Sequence, residues 1–198
     1  FIVYKLAVTL AGGTLITVPA RDYGADLDGM LAAIRPDTAI VFLANPNNPT
    51  GTWTDESSLT RFLDAVPKHV WVVLDEAYFE YVDLPGYPDG IRLLSRYPNL
   101  VVTRTFSKIH GLAALRVGYA VSSPEAADLL GRVRQPFNVN SLGLAAATAA
   151  LADEGFVNES RRLNREGLAE LTSGLTRLGL AVIPSAGNFV AFEPGRDP

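Results

Sequence analysis

Short apolar runs alternate with segments of helical periodicity, and this alternation restricts the fold more than any other feature of the chain. The runs Ala39–Ala44 (AIVFLA), Val70–Leu74 (VWVVL) and Leu100–Thr103 (LVVT) have the length of strands and the apolar character of strands buried on both faces. Leu27–Ile34, before the first run, and Asp55–Val66, after it, have helical spacing. Strands that alternate with helices favour a layered α/β fold with a mostly parallel sheet and right-handed crossovers.

The remaining elements suggest two units. We predict a large α/β domain over residues 1–153 and the start of a smaller α+β domain over residues 154–198. The large domain has further predicted strands at Thr14–Pro19 and Val117–Val121 and an alanine-rich helix at Leu142–Leu151. The second unit comprises a long amphipathic helix that should end at Gly179, followed by two short strands, with predicted bounds Phe156–Leu178, Leu180–Ile183 and Asn188–Phe192.

Composition and charge argue against several classes of function. The net charge is −4, from 17 basic and 21 acidic side chains, and no run of Lys or Arg suggests a surface for nucleic acid or membrane. The sequence has no apolar stretch of about 18 residues that would span a membrane. It has no cysteine, which excludes disulfides and cysteine nucleophiles, and its two histidines lie far apart. We therefore expect no metal, no nucleic-acid or membrane partner, and a cytoplasmic location.

Four polar clusters follow or precede the predicted strands. They are NPNNPTG (45–51), DEAY (75–78), TFSK (105–108) and Arg116 within LRVGY. Ligands of open α/β sheets bind beyond the carboxyl ends of the strands, so we expect these clusters to meet at one rim. Their order, and the eight-residue step from Lys108 to Arg116, resemble the pyridoxal-phosphate-dependent aminotransferases of fold type I, class I/II. Within that family the chain is most similar to histidinol-phosphate aminotransferases, and the resemblance covers all 198 residues.

Lys108 is the strongest candidate for a catalytic residue. The chain has 14 Arg but only three Lys, and only a lysine amine can lose its proton and form a Schiff base with an aldehyde. The resemblance implies that Lys108 holds pyridoxal 5'-phosphate and serves as the general acid and base, and it gives His110 no such role. A solvated surface lysine is the alternative.

Asp75 ends an apolar strand, where a poorly solvated carboxylate needs a cationic partner. The resemblance supplies one, the protonated pyridine nitrogen of the cofactor; a helix N-cap is the alternative. Glu76 should point the other way and be structural. The resemblance pairs Tyr78 and Asn48 as donors to the cofactor's phenolic oxygen and implies a cis Asn48–Pro49 peptide. A core aromatic and a turn residue are the respective alternatives.

The resemblance also assigns residues to the two ends of the cofactor. Thr105, Ser107 and Arg116 would hold its phosphate through two hydroxyls and one guanidinium fork. Loop capping and a surface ion pair are the alternatives. Phe1 aligns with an aromatic ring that stacks on the cofactor, although a frayed terminal residue is also possible.

The resemblance implies a function and a partner. It favours amino-group transfer between histidinol phosphate and 2-oxoglutarate, in a homodimer with composite sites. Aromatic amino-acid transamination, a decarboxylase or lyase of the same fold, and a non-catalytic cofactor-sensing domain remain open. A nucleotide-binding fold is disfavoured because no G-x-G-x-x-G follows the first strand. The chain opens at Phe1 without Met and closes soon after an apolar run, so we expect an internal piece of a longer protein.

Overall fold

The computed structural model describes residues 1–195. The helices are α1 (Ile2–Leu10), α2 (Leu27–Ala32), α3 (Glu56–Ala65), α4 (Gly90–Leu93), α5 (Pro124–Val133), α6 (Ser141–Ala152) and α7 (Glu154–Arg177), with short 3-10 turns at Phe79–Tyr81 and Ala113–Leu115. The strands are β1 (Ile40–Ala44), β2 (Trp71–Asp75), β3 (Leu100–Thr105), β4 (Gly118–Ser122), β5 (Ala181–Ile183) and β6 (Ala191–Glu193). None of the helices within this range is both long and apolar enough to cross a bilayer.

The main sheet has the strand order β1-β2-β3-β4. The first three strands are parallel, and β4 runs antiparallel to β3. Ala44 lies beside Asp75, and Asp75 lies beside Thr103, so these strands end at one edge of the sheet. This arrangement confirms the predicted α/β fold with a mostly parallel sheet.

Helix α3 forms the core with one face of this sheet. It buries Leu59, Phe62 and Leu63 against Leu74 of β2 and Leu100 of β3. Full burial of each such side chain is worth about 1.5–3 kcal/mol relative to exposure. The helix begins where the sequence predicts, because the side chain of its N-cap, Asp55, accepts a hydrogen bond of 2.9 Å from Ser58 N.

The structure corrects two expectations and adds one helix. Thr14–Pro19 is not a strand, because no other segment within residues 1–195 pairs with it. β1 is less buried than predicted: only Leu43 of this strand is buried, and Ile40 is 49% exposed. Helix α1, over residues 2–10, was not predicted at all; its apolar residues lie all round it, so no clear helical stripe marks it.

The part of the chain predicted to begin a second unit contains α7 and the antiparallel pair β5–β6. Helix α7 ends just before Gly179, whose φ of 76° is the left-handed conformation expected of a glycine stop. Side chains of α7 form hydrogen bonds to the first 3-10 turn and to the loop between β5 and β6. Arg161 Nε donates to Glu80 O at 2.8 Å, and Asn164 Nδ2 donates to Gly187 O at 3.1 Å. The division at residue 153 stays a prediction.

Candidate active site

The polar clusters meet at one rim of the sheet because of strand direction. The parallel strands β1, β2 and β3 bring their carboxyl ends to this edge, and the antiparallel β4 begins at it. Asn45 N donates to Asp75 O at 2.9 Å, and Phe106 N donates to Val117 O at 3.1 Å. The loop after β1, the end of β2, the turn after β3 and Arg116 are therefore neighbours, as predicted.

Asn45 builds the loop that follows β1. Its side chain is fully buried and bonds Thr54 twice: Nδ2 donates to Thr54 O at 3.0 Å, and Oδ1 accepts from Thr54 N at 2.8 Å. The Asn48–Pro49 peptide is cis, as expected, and so is Asn45–Pro46. Gly51 has a φ of 76°, a conformation that favours glycine. Asn45 thus shapes the loop that presents Asn48.

Asn48, Tyr78 and Lys108 form one contiguous group. Asn48 Nδ2 donates to Tyr78 Oη at 2.8 Å, across 30 residues of sequence. Tyr78 is buried, and the edge of Phe189 meets its ring at 5.1 Å between centroids. The Lys108 amine lies 5.2 Å from the centre of the Tyr78 ring, and Lys108 is exposed. The amine makes no ion pair within the described range, so it is available to a ligand.

Asp75 is held by two donors, one on each oxygen. Ala77 N donates to Oδ1 at 3.1 Å, and Tyr4 Oη donates to Oδ2 at 2.7 Å. No Lys or Arg side chain among residues 1–195 pairs with this carboxylate. Asp75 is not the helix N-cap considered as the alternative, because the helical turn that follows begins at Phe79 and its N-cap is Tyr78. The bond to Ala77 N closes the turn after β2 instead, and it occupies only one of the two oxygens.

Tyr4 is the residue of this site that the sequence reasoning missed. Burial, and then the negative charge of Asp75, raise the pKa of Tyr4 well above its ordinary value, so its hydroxyl keeps its proton. The rings of Phe1 and Tyr4 meet edge to face, with their centroids 5.6 Å apart. The three-residue spacing of Phe1 and Tyr4 on α1 would have revealed the pair, had that helix been predicted. Phe1 itself is 57% exposed.

Thr105, Ser107 and Arg116 lie at the other end of the rim. Thr105 Oγ1 accepts from Ser107 N at 3.0 Å, which is the loop-capping bond considered above. Arg116 is exposed, and its Nη1 donates to Ala113 O at 2.7 Å. Among residues 1–195 no carboxylate pairs with Arg116, so the structure does not show the surface ion pair considered as the alternative. A guanidinium and two hydroxyl groups suit a phosphate.

Glu76 takes part in a buried ion pair, in keeping with its predicted structural role. Arg104 donates to Glu76 Oε2 from Nε at 2.9 Å and from Nη2 at 2.7 Å, and Nη2 also donates to Asp89 Oδ1 at 2.7 Å. Gly90 N donates to Glu76 Oε1 at 2.8 Å. Burial raises the pKa of Glu76 to about 7, although the Arg104 charge opposes the shift.

His110 packs against a neighbouring aromatic ring. Its ring lies beside Phe106, with centroids 5.0 Å apart, and its buried Nδ1 has no hydrogen-bond partner within residues 1–195. Burial lowers the pKa of His110, which favours the neutral ring. That His110 has no direct chemical role stays a prediction.

Two cavities lie away from the rim. One of about 370 Å³ is lined by residues that include Tyr23, Trp53 and Glu193, and one of about 450 Å³ is lined by residues that include Trp53 and Asp55. Neither is lined by Lys108 or Asp75, so the chemistry of the side chains, not cavity size, identifies the candidate site. No group of three or more His, Asp or Glu side chains in the described part of the chain is placed to hold a metal ion.

Comparison with known proteins shows which family the chain is similar to. The family model of aminotransferase class I and II matches residues 1–198. The histidinol-phosphate aminotransferase 2 of Pseudomonas fluorescens (strain Pf0-1) is 56% identical over 196 residues, which are 99% of this chain and 53% of that protein. The enzyme of the same name from Pseudomonas aeruginosa is 57% identical over 197 residues, covering all of this chain and 53% of the relative.

A solved structure of a histidinol-phosphate aminotransferase is also similar to this chain. The histidinol-phosphate aminotransferase of Sinorhizobium meliloti, crystallised with pyridoxal-5'-phosphate, superposes with a TM-score of 0.94 at 39% identity, over 100% of this chain and 54% of that one. The chain spans about half the length of the curated relatives it matches. Since the family model matches from the first residue to the last, the chain belongs to the class I and II aminotransferases.

Proposed function

We propose that this chain carries the cofactor site of a pyridoxal-phosphate-dependent histidinol-phosphate aminotransferase. The observation that carries the proposal is the rim itself, as the structure describes it over residues 1–195. A lysine amine that forms no ion pair lies beside Tyr78 and Asn48, and a carboxylate that meets no cation lies at the end of β2. The resemblance to enzymes of that name, over the whole chain, supports it.

The donor set fits pyridoxal phosphate group by group. The Lys108 amine would bond the aldehyde, and Asp75 would face the ring nitrogen as the anion that a pyridinium requires. Asn48 and Tyr78 would donate to the phenolic oxygen. Phe1 would stack on the ring, and the phosphate would be held by Thr105, Ser107 and Arg116. Two observations within residues 1–195 support this fit: Asp75 meets no cation, and the exposed guanidinium of Arg116 forms no ion pair.

Each residue has a defined task in the chemistry. The bound cofactor supplies an aldehyde that takes up the amino group and a ring that accepts electrons from the substrate's Cα. Lys108 Nζ would be the base that takes the proton from that Cα. Asp75 keeps the ring nitrogen protonated, and Tyr78 and Asn48 stabilise negative charge on the phenolic oxygen.

The covalent attachment can be tested directly. The protein is loaded with pyridoxal phosphate, reduced with borohydride and digested, and the modified peptide is identified by mass spectrometry. We expect the pyridoxyl group on Lys108 and its loss in Lys108→Ala. Lys68→Ala, at an exposed position outside the rim, serves as the matched control and should label normally. Modification of Lys5 or Lys68 instead, or of no lysine, would show that the site is wrongly assigned.

The substrate pair is part of the proposal: histidinol phosphate as donor and 2-oxoglutarate as acceptor. Activity is best measured in a chimera in which residues 1–198 replace the matching segment of the Pseudomonas fluorescens relative. Comparison of kcat/KM for histidinol phosphate and for phenylalanine separates this pair from aromatic transamination. A chimera that prefers phenylalanine would refute the substrate assignment and leave the cofactor assignment intact.

We also propose a homodimer, two units divided at residues 153 and 154, and a cytoplasmic location. Exposed apolar side chains on and after α5 support self-association: Val133 is 79% exposed, Phe137 is fully exposed, and Leu142 is 75% exposed. Sedimentation of the chimera tests the dimer, and Phe137→Asp should weaken it. The absence of cysteine fits a reducing compartment, and cell fractionation tests the location.

A further inference from the structure

We propose that Tyr4 is a positioning residue that sets the plane of the Asp75 carboxylate and, through it, the hold of the protein on the cofactor's ring nitrogen. The inference rests on the proposed function. Neither the four polar clusters nor the resemblance points to this residue, which lies 71 positions before its partner.

The geometry of Asp75 requires a second donor. The last torsion of an aspartate side chain has a broad energy minimum, so its carboxylate plane is set by the hydrogen bonds it accepts. Ala77 N fixes Oδ1 at 3.1 Å, and Tyr4 Oη fixes Oδ2 at 2.7 Å. Each oxygen has a second lone pair, so a further donor can approach without displacing either bond. Without Tyr4, only one donor would hold the carboxylate.

Tyr4 can perform this role because its own position is fixed. Its ring stacks on Phe42 of β1, with centroids 4.9 Å apart and planes 14° apart, and meets the edge of Phe1 at 5.6 Å. The pKa of the Tyr4 hydroxyl lies above its ordinary range, so the group remains a hydrogen-bond donor. A fixed ring with a protonated hydroxyl is a rigid hydrogen-bond donor. Such a donor can orient the Asp75 carboxylate, which would otherwise rotate.

A purely structural role is the alternative. The same bond ties α1 to the sheet, and its loss alone would lower stability without changing the cofactor. Tyr97 offers a matched control, because its hydroxyl donates to Asp64 Oδ1 at 2.8 Å, a phenol–carboxylate pair outside the rim. Tyr4→Phe and Tyr97→Phe each remove one such bond and keep the ring.

The experiment compares both variants with wild type after loading with pyridoxal phosphate. The first readout is the low-field proton NMR signal of the ring N–H, which reports on the hydrogen bond to Asp75. The second is turnover in the chimera. We expect Tyr4→Phe to shift the NMR signal and to lower kcat about tenfold, with little change in KM. Tyr97→Phe should alter neither. An unshifted signal and normal kcat in Tyr4→Phe would overturn the inference.

Two further arms keep the test decisive. Replacing Tyr4 with 3-fluorotyrosine keeps the ring and makes the hydroxyl a stronger hydrogen-bond donor. The NMR signal should therefore move in the direction opposite to its shift in Tyr4→Phe. An unmoved signal would overturn the inference even if Tyr4→Phe fails to fold. In an Asp75→Asn background, Tyr4→Phe should lower kcat no further, and an equal loss in both backgrounds would also overturn it. If wild type binds no pyridoxal phosphate, the proposed function itself fails.

Discussion

Asp75 is an anion at the end of a strand, and within residues 1–195 it accepts hydrogen bonds from Tyr4 and Ala77 but meets no cation. We expect Asp75→Asn to lower turnover of the chimera roughly 10³-fold, which corresponds to about 4 kcal/mol of transition-state stabilisation. The cofactor should stay bound, because Lys108 and the phosphate ligands remain. The measurement is kcat together with the absorbance of bound cofactor.

Asp64→Asn is the control for this experiment. Asp64 also accepts a bond from a tyrosine, but it lies outside the rim and pairs with Arg96. It should leave kcat unchanged. Near-normal turnover of Asp75→Asn would mean that Asp75 is only the cap of the turn after β2.

At this scale the sequence was informative where a residue's chemistry is distinctive and its motif is local. The positions of Lys108 and Asp75 at the rim were predictable, because one follows an apolar run of the predicted sheet and the other ends one; their chemical roles stay predictions. The position of Tyr4 was not predictable, because an aromatic residue in an apolar segment reads as core. Its contact with Asp75 depends on where α1 packs, and that packing is set by long-range contacts.

Among the elements, the loop of residues 45–52 makes a close contact with the second unit. Ala186 N donates to Gly51 O at 2.8 Å, and a Cβ added to Gly51 would overlap Ser185. We expect Gly51→Ala to lose about 1–2 kcal/mol from left-handed backbone strain and a further ~1–3 kcal/mol from the overlap. Urea unfolding measures the loss.

Gly86→Ala separates the two contributions. Gly86 has a φ of 83°, close to the 76° of Gly51, but a Cβ there would meet no atom within 4 Å. It should lose only the backbone part. Equal losses in the two variants would show that the loop moves away from Ser185 without cost.

The ion pair of Glu76 and Arg104 joins the ends of β2 and β3 and should make stability depend on pH. The pKa of Glu76 is raised from 4.5 to about 7 in the folded protein, so the folded state binds more protons than the unfolded chain between these values. The contribution is therefore fully present below pH 4.5 and is lost as pH rises through 7, by up to about 3 kcal/mol.

Glu76→Gln should remove this dependence, because glutamine stays neutral and can still accept from Gly90 N. The difference in unfolding free energy between wild type and Glu76→Gln, measured in urea from pH 5 to pH 8, should fall with pH. Asp37→Asn, in an exposed pair with Arg35, should give a constant difference within about 1 kcal/mol. A flat difference for Glu76→Gln as well would place the pKa of Glu76 near its ordinary value.

The elements were predictable to the extent that their patterns are strong. Asp55 marked the start of α3 and Gly179 the end of α7, because caps act through local backbone geometry. Thr14–Pro19 has the composition of a strand but no partner within residues 1–195, and a strand exists only where another segment pairs with it. Composition cannot supply that partner.

For the whole molecule, the chain and the chimera should behave differently. We expect residues 1–198 alone to show no transamination, although the chimera transfers amino groups. The chain spans about half of its relatives, and apolar residues such as Leu163 and Leu171 of α7 are about half exposed, which favours aggregation. The measurement is turnover with histidinol phosphate and 2-oxoglutarate. Comparable turnover by the two would show that the 198 residues contain a complete active site.

The antiparallel direction of β4 has a consequence for the order of folding. It places Val117 against Thr105, so the phosphate end of the rim forms when a chain segment of 12 residues closes. The Tyr4–Asp75 bond requires the closure of a segment of 71 residues. The longer closure costs about 1.5 kcal/mol more chain entropy. We expect the β3–β4 ribbon to gain protection first in pulsed hydrogen exchange, and α1 to gain it last. A newly synthesised chain would then be able to bind the cofactor's phosphate before it can bind the cofactor's ring.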